Sequence, residues 1–163
     1  MKPLAITAYT ATSCLGLGLD AQRRALLEMR GGLKPCTFMD LNLSSWIGEV
    51  SAIDERPLPE DFAAYECRNN RLARIGLEQD GIDAQVRRAI DQYGGSRVGL
   101  FLGSSTSGLL STELAYRQRD AATGALPSSF HYAETHNMYS LASFVKDWLG
   151  MTGPSSLVSV ACA

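Results

Sequence analysis

Apolar residues recur along residues 72–93 at alternating steps of three and four, which is the spacing of one face of an α-helix. The stripe comprises Leu72, Ile75, Gln79, Ile82, Val86, Ala89 and Tyr93. Asn69 or Asn70 could cap this helix, and Gly94 and Gly95 end it. Gly76 and Gly81 each cost up to about 1 kcal/mol relative to alanine. The pattern therefore predicts one helix that packs closely against a neighbour.

Four other segments are rich in β-branched and aromatic residues and predict strands. They are residues 4–13, 45–53, 97–103 and 157–161. The third, "RVGLFLG", is apolar on both faces, as central strands of parallel sheets are.

Helices alternate with these strands. "AQRRALLEMR" follows Asp20 as a possible N-cap, and a small-residue turn opens another helix after Gly103. Asn137 can cap a helix that Gly150 ends. Alternation of this kind predicts an α/β protein with a mainly parallel sheet and helices on both faces.

Composition narrows the class of protein. The chain has 163 residues, 45% of them hydrophobic and 20% charged, and its net charge is -2. This balance indicates a folded domain, and without a basic stripe we expect no nucleic acid partner. Because no apolar run approaches the roughly 20 residues of a membrane span, we expect a cytoplasmic protein without membrane contact.

The metal-binding residue types do not cluster in the sequence. Cys14, Cys36, Cys67 and Cys162 form no C-x-x-C pair, so we expect free thiols with neither a zinc site nor disulfides. His131 and His136 share one irregular segment; a metal or acid–base pair is one interpretation, and ordinary polar loop residues are the other.

Two glycine-rich turns could bind phosphate. "GLGLDA" at residues 16–21 fits the G-x-G-x-x-A form of a dinucleotide site, which would make the protein an oxidoreductase. A plain tight turn is the alternative. "GSSTSG" at residues 103–108 lacks the lysine of a P-loop.

Cys162 directly follows the strand-like run "LVSVA". Such a cysteine is presented at the carboxyl end of a parallel sheet, where a following helix would lower its pKa and its own N–H could stabilise an oxyanion. The pattern therefore predicts a nucleophile, although a small buried residue at a strand end remains the other interpretation.

Four stretches together resemble the β-ketoacyl-acyl carrier protein synthases, the condensing enzymes of the thiolase-like fold. "SLVSVACA" resembles their nucleophile segment, and "RVGLFLGSSTSGL" resembles a strand and turn of theirs. "ITAYTATSCLGLGLDAQRRALLEMRGGLKP" resembles their opening strand and first helix. The run from His136 to Ala163 places Asn137, Gly153-Pro154 and Cys162 on the family's asparagine, Gly-Pro and nucleophile.

The resemblance implies that residues 1–163 are the first part of the N-terminal half of such a synthase, ending just after the nucleophile strand. It implies decarboxylative condensation of acyl chains with malonyl units in fatty acid or polyketide biosynthesis. It also implies that the substrates are attached to the phosphopantetheine of an acyl carrier protein and that no cofactor or metal is bound. In the family, two histidines and a lysine of the second half complete the site. His131 and His136 do not occupy those positions.

We therefore expect the chain to be incomplete without further polypeptide. It could be truncated, one piece of a split synthase, or the product of a cut after Ala163. We expect it to form a homodimer or a heterodimer with another ketosynthase subunit. An alternative role is that of a non-catalytic, chain-length-factor-like subunit that shapes the acyl tunnel of an active ketosynthase.

Overall fold

A computed structural model describes residues 3–39 and 43–159. The strands are β1 (Thr12–Ser13), β2 (Gly16–Leu17), β3 (Leu33–Pro35), β4 (Trp46–Gly48), β5 (Leu100–Ser104) and β6 (Ser155–Ser159). The α-helices are α1 (Gly18–Leu27), α2 (Arg68–Leu77), α3 (Ile82–Tyr93), α4 (Leu109–Arg117) and α5 (Ser140–Leu149). Short 3-10 turns span Glu60–Tyr65 and Gly95–Arg97, and one π-helical turn spans Tyr132–His136.

Each strand of the described residues belongs to a two-stranded sheet. β1 pairs with β2 and β3 with β4, both antiparallel. β5 and β6 are parallel, from Leu100 opposite Ser155 to Ser104 opposite Ser159. The predicted mainly parallel sheet is thus seen in part: the strands predicted at "RVGLFLG" and "LVSVA" form a parallel pair as far as Ser159, where the described residues end, whereas the other two described pairs are antiparallel.

The hydrophobic core forms around helix α5. Phe144 of α5 is fully buried, and α5 contacts α2, α3 and the β5–β6 pair. The buried cluster comprises Leu58, Phe144, Val145, Leu149 and Met151, and the inward-facing residues Leu100 and Leu102 of β5 pack against it. Helices therefore cover one face of the parallel pair.

The opposite face of the parallel pair is open in the described residues. Phe101 of β5 is 79% exposed and Val158 of β6 is 54% exposed. The prediction of helices on both faces is therefore wrong for the part of the chain that the structure describes. The chain before Ser159 supplies helices to one side only.

The predicted helix over residues 72–93 is two helices. α2 ends at Leu77 and α3 begins at Ile82, because Asp80 and Gly81 adopt left-handed φ values of 53° and 71°. An added Cβ on Gly76 would meet no atom within 4 Å, so the close packing expected there is also absent. Gly94, at φ 86°, ends α3 as predicted.

The first predicted strand is mostly absent. Of residues 4–13 only Thr12 and Ser13 form a strand, and Leu4 and Ile6 are exposed. Alternation sets which side chains share a face, but a strand also needs a neighbour to bond with. Within the described residues no strand pairs with residues 4–11.

Three predicted caps also differ. Asp20 lies in the first turn of α1, whose N-cap is Leu17, and Cys67 rather than an asparagine is the N-cap of α2. Asn137 lies two residues before Tyr139, the N-cap of α5, and its Oδ1 accepts the N–H of Tyr139 at 2.9 Å. No helix of the described residues is long and apolar enough to cross a membrane.

Candidate functional site

The carboxyl ends of β5 and β6 meet at one edge of the parallel pair. Ser104 and Ser159 are opposite each other at this edge. Ligands of α/β proteins bind beyond the carboxyl ends of parallel strands, so this edge is the first place to seek a site. Cys162 follows Ser159 by three positions in the sequence and lies outside the described residues.

The loop after β5 is held in place by the π-helical turn. The Ser107 hydroxyl donates to the carbonyl of His136 at 2.6 Å, and the N–H of Gly108 donates to the carbonyl of Thr135 at 2.8 Å. Both Ser107 and Gly108 are buried. The turn "YAETH" and the loop "GSSTSG" therefore form one rigid unit at the edge of the sheet.

Gly108 is required for this close approach. An added Cβ would lie 2.8 Å from the carbonyl oxygen of Thr135 and 3.0 Å from the sulfur of Cys67. The small residues of "GSSTSG" thus allow two backbone segments to approach each other closely. This packing explains the small residues without a bound phosphate.

Cys67 is a structural thiol beneath this loop. It is 3% exposed, and burial raises its pKa, against the opposing effect of hydrogen bonds from the N–H groups of Asn70 and Asn69. A raised pKa removes the thiolate that a nucleophile needs. Among the described residues, Cys14, Cys36 and Cys67 are free thiols.

His136 is ordered by Thr112 of α4. The Thr112 hydroxyl lies 2.9 Å from Nδ1 of His136 and 3.3 Å from the carbonyl of Gly108. If the hydroxyl donates to Gly108, its oxygen accepts a hydrogen bond from Nδ1–H of His136. The rings of Phe130 and Tyr132 lie 6.2 and 5.3 Å from the imidazole. The sequence analysis left His136 as either one of an acid–base or metal pair or a polar loop residue, and neither interpretation predicted these contacts.

His131 is not paired with His136 by side-chain contacts. Its side chain is exposed, whereas its carbonyl accepts both the N–H and the hydroxyl of Thr135. Among residues 3–39 and 43–159 no three His, Cys, Asp or Glu side chains converge as metal ligands. The polar-loop interpretation therefore fits His131.

Asn70 is a buried polar hub that the sequence placed at a helix cap. Its side chain is fully buried, and its Nδ2 donates to the carbonyls of Tyr65 at 2.9 Å and Glu134 at 3.3 Å. It thereby joins α2 to the π-helical turn. An asparagine amid a helical run is the only sequence signal of such a role.

An apolar groove of about 560 Å³ opens beside the loop after β5. Its polar lining includes Thr106 and Ser107 together with Glu49, Arg68 and Asn69. Its apolar lining includes Ile47, Ile53, Leu72, Leu109 and Leu110. This is the size range of pockets that enclose small molecules, and its position puts it next to the carboxyl edge of the sheet.

The dinucleotide interpretation of "GLGLDA" meets an obstacle in the structure. The carboxylate of Asp80 lies at the N-terminus of α1, where it accepts the N–H of Leu19 at 3.0 Å and the hydroxyl of Thr10 at 2.6 Å. An anion of the protein thus holds the place a pyrophosphate would take. The glycine at position 16 is also explained by packing, since a Cβ added to Gly16 would lie 2.6 Å from the Cβ of Ala21.

Comparison with known proteins gives one informative result. No protein-family model matches the chain, and no curated protein matches it. A solved structure does: a chain from a ketosynthase (ApeO) in complex with its chain length factor (ApeC) from Xenorhabdus doucetiae. The TM-score is 0.63 at 23% identity, over 89% of this chain and 36% of that one. The chain therefore spans about a third of its structural neighbour and shares a ketosynthase-type α/β fold with it.

Proposed function

We propose that the chain is the first part of a β-ketoacyl-acyl carrier protein synthase-type subunit, in which Cys162 carries the growing acyl chain. The observation that carries this proposal is the parallel β5–β6 pair, whose carboxyl ends meet beside the loop after β5. The nucleophile segment "ACA" follows that edge in the sequence. The likeness in fold to a ketosynthase–chain length factor complex supports it.

The proposed reaction has two stages. The thiolate of Cys162 attacks the acyl thioester on the phosphopantetheine of a carrier protein, forming a new thioester and releasing the pantetheine thiol. A malonyl thioester then loses carbon dioxide, and its carbanion attacks the acyl group on Cys162. The product is a β-ketoacyl thioester, and the cysteine thiolate is restored. The histidines and lysine that assist these steps in the family would come from polypeptide beyond the described residues.

The apolar groove has the character needed to hold an acyl chain. Its lining is mainly aliphatic, and its polar side chains include Thr106 and Ser107 of the loop after β5 together with Glu49 and Arg68. Each buried methylene contributes about 0.8 kcal/mol, so even a short chain would gain affinity there. The aliphatic part of the lining therefore suits an acyl chain.

The open face of the parallel pair supports the need for more polypeptide. Parallel sheets are buried on both faces in known proteins, whereas Phe101 and Val158 are exposed here. We propose that this face packs against helices supplied either by a continuation of this chain or by a separate chain. The partners would be an acyl carrier protein and a second ketosynthase-type subunit.

Acylation of Cys162 is the direct test. The chain, together with the polypeptide that completes its fold, is incubated with a mass-tagged acyl-carrier protein and digested for peptide mapping. We expect the tag on Cys162, and Cys162→Ala should abolish it while the control Cys14→Ala, at a cysteine outside the groove lining, keeps it. An untagged Cys162 in a complex that is folded and binds the carrier would overturn the catalytic proposal.

A chain-length-factor-like role is the second candidate, because the solved complex holds a subunit of each kind. In that role Cys162→Ala leaves product formation by the complex intact. Bulky substitution in the groove, such as Leu110→Trp, would instead shorten the product. Measuring product length and yield for both variants separates the two roles.

A further inference from the structure

A second cavity adjoins the apolar groove beside the loop after β5. Its volume is about 580 Å³, and that of the groove is about 560 Å³. Four side chains line both cavities, namely Phe38, Glu49, Arg68 and Leu110. Because a side chain that lines two neighbouring cavities stands between them, these four form a partition.

Helix α4 gives the two cavities an order. Leu109 lines the groove but not the second cavity, Leu110 lines both, and Leu114 lines the second cavity but not the groove. The helix begins directly after the loop that follows β5, at the carboxyl edge of the parallel pair. A chain that enters the groove from that edge therefore meets the partition before it reaches the second cavity.

Phe38 is the aromatic member of the partition. It is half-buried in the connection between β3 and β4, and its ring centroid lies 5.4 Å from Cζ of Arg68. The face of an aromatic ring attracts a guanidinium at this distance. Arg68 is itself paired with the carboxylate of Asp54. The ring of Phe38 is thus held across the end of the groove by a cation that is fixed on its other side.

The second cavity has the lining to hold an alkyl chain if the ring is removed. Its apolar lining includes Met39, Cys67 and Leu114. Two of its charged side chains are paired with each other, since Nε of Arg71 lies 2.5 Å from Oε1 of Glu66. An alkyl chain placed beside this pair would bury apolar surface without separating the two charges.

We propose that the ring of Phe38 is a steric stop that limits the length of acyl chain the groove accepts. This inference rests on the proposed function, because it takes the occupant of the groove to be an acyl chain. With the ring in place the chain ends in the groove. Without the ring the chain continues along Leu110 and Leu114 into the second cavity. Phe38 is thereby a specificity-determining residue.

Binding of acyl thioesters of increasing length tests the stop. The parent protein is the Cys162→Ala variant of the chain, together with the polypeptide that completes its fold, so that binding is measured without acyl transfer. The probes are N-acetylcysteamine thioesters of straight-chain acids from butanoyl to dodecanoyl, titrated by calorimetry. Affinity should rise by about fourfold for each buried methylene and level off where the chain meets the ring.

Substitution of the ring should move that limit. Phe38→Ala should let the affinity rise over at least one further two-carbon unit, and Phe38→Leu gives the same comparison with a milder change. Adding Leu114→Trp to Phe38→Ala refills the second cavity and should restore the parent limit. Two controls should keep the parent limit: Phe38→Tyr retains the ring, and Tyr116→Ala removes a ring that lines neither cavity.

The outcomes separate the stop from the proposed function. An unchanged limit in both Phe38→Ala and Phe38→Leu would overturn the stop, and so would an extended limit in Tyr116→Ala. Absence of binding at every chain length would overturn the acyl groove of the proposed function, and the stop with it. Acylation is measured separately on protein that retains Cys162, so a failure of catalysis leaves the length limit measurable.

Discussion

Gly153 sets the start of β6 against β5, and Gly153→Ala tests whether this contact determines the parallel pair. Gly153 is buried, and an added Cβ would overlap the carbonyl oxygen of Val98 and lie 3.1 Å from that of Ser96. Both obstructing atoms belong to backbone that leads into β5. The methyl group can therefore be accommodated only if one chain moves away from the other.

The expected cost follows from these contacts. Overpacking of this kind costs about 1–3 kcal/mol, and weakening of the adjacent hydrogen bond from Leu100 N–H to the Pro154 carbonyl adds about 1 kcal/mol. The free energy of unfolding should thus fall by about 2–4 kcal/mol. For a chain of this size that lowers Tm by roughly 4–16 °C.

Gly103→Ala is the matched control for thermal unfolding. Gly103 lies in the same parallel pair, opposite Val158, and an added Cβ would meet no atom within 4 Å. Alanine is favoured over glycine in a strand, so Gly103→Ala should leave Tm unchanged or raise it slightly. If Gly153→Ala has the same Tm as the wild type, the close approach of Gly153 to Val98 does not set the register of β6 against β5.

Three further predictions concern the other contacts of the fold. Asp80→Ala removes the acceptor of Thr10 and Leu19, so urea unfolding should show a loss of about 1–2 kcal/mol, with part of it restored in Asp80→Asn. Cys67, whose pKa burial raises, should resist iodoacetamide in the native protein and react once urea unfolds it; native labelling at the rate of a free thiol would contradict its burial. Hydrogen bonds from Thr123 hold the pKa of Asp120 below its usual value, so its loop should be fully stabilised above about pH 4 and lose that support as pH falls through the lowered pKa. An NMR titration of Asp120 with an ordinary midpoint would contradict this last prediction.

The elements that the sequence predicted well are those with a local cause. α5 ends at Gly150, which adopts the left-handed φ of 73° that glycine tolerates. β5 and β6 follow from short apolar runs flanked by small residues and turns. In each case the residues that determine the element are neighbours in the chain.

The predictions failed where contacts between residues that are distant in the sequence determine the structure. The helical stripe of residues 72–93 continues across Asp80 and Gly81, yet the helix breaks there. The carboxylate of Asp80 is drawn to Leu19 and Thr10, which are 61 and 70 positions away. The hydrophobic periodicity of one segment carries no information about a hydrogen-bond partner in another segment.

The candidate site divides in the same way. Cys162 was found from the strand pattern and the family resemblance, and it stays a prediction because it lies outside the described residues. The attachment of His136 to Thr112 and Ser107, the burial of Asn70 and the apolar groove were visible only in the structure. No spacing rule links these residues in the sequence.

The sequence by itself determined the helices α1, α4 and α5 and the parallel strands, because local periodicity and turn residues specify elements directly. Only the tertiary structure decided that Asp80 fills the anion position at α1, that Cys67 is buried and unreactive, and that one sheet face is left open. These properties depend on which segments of the chain pack against one another. Burial and hydrogen-bond satisfaction are settled by contacts between segments and not within them.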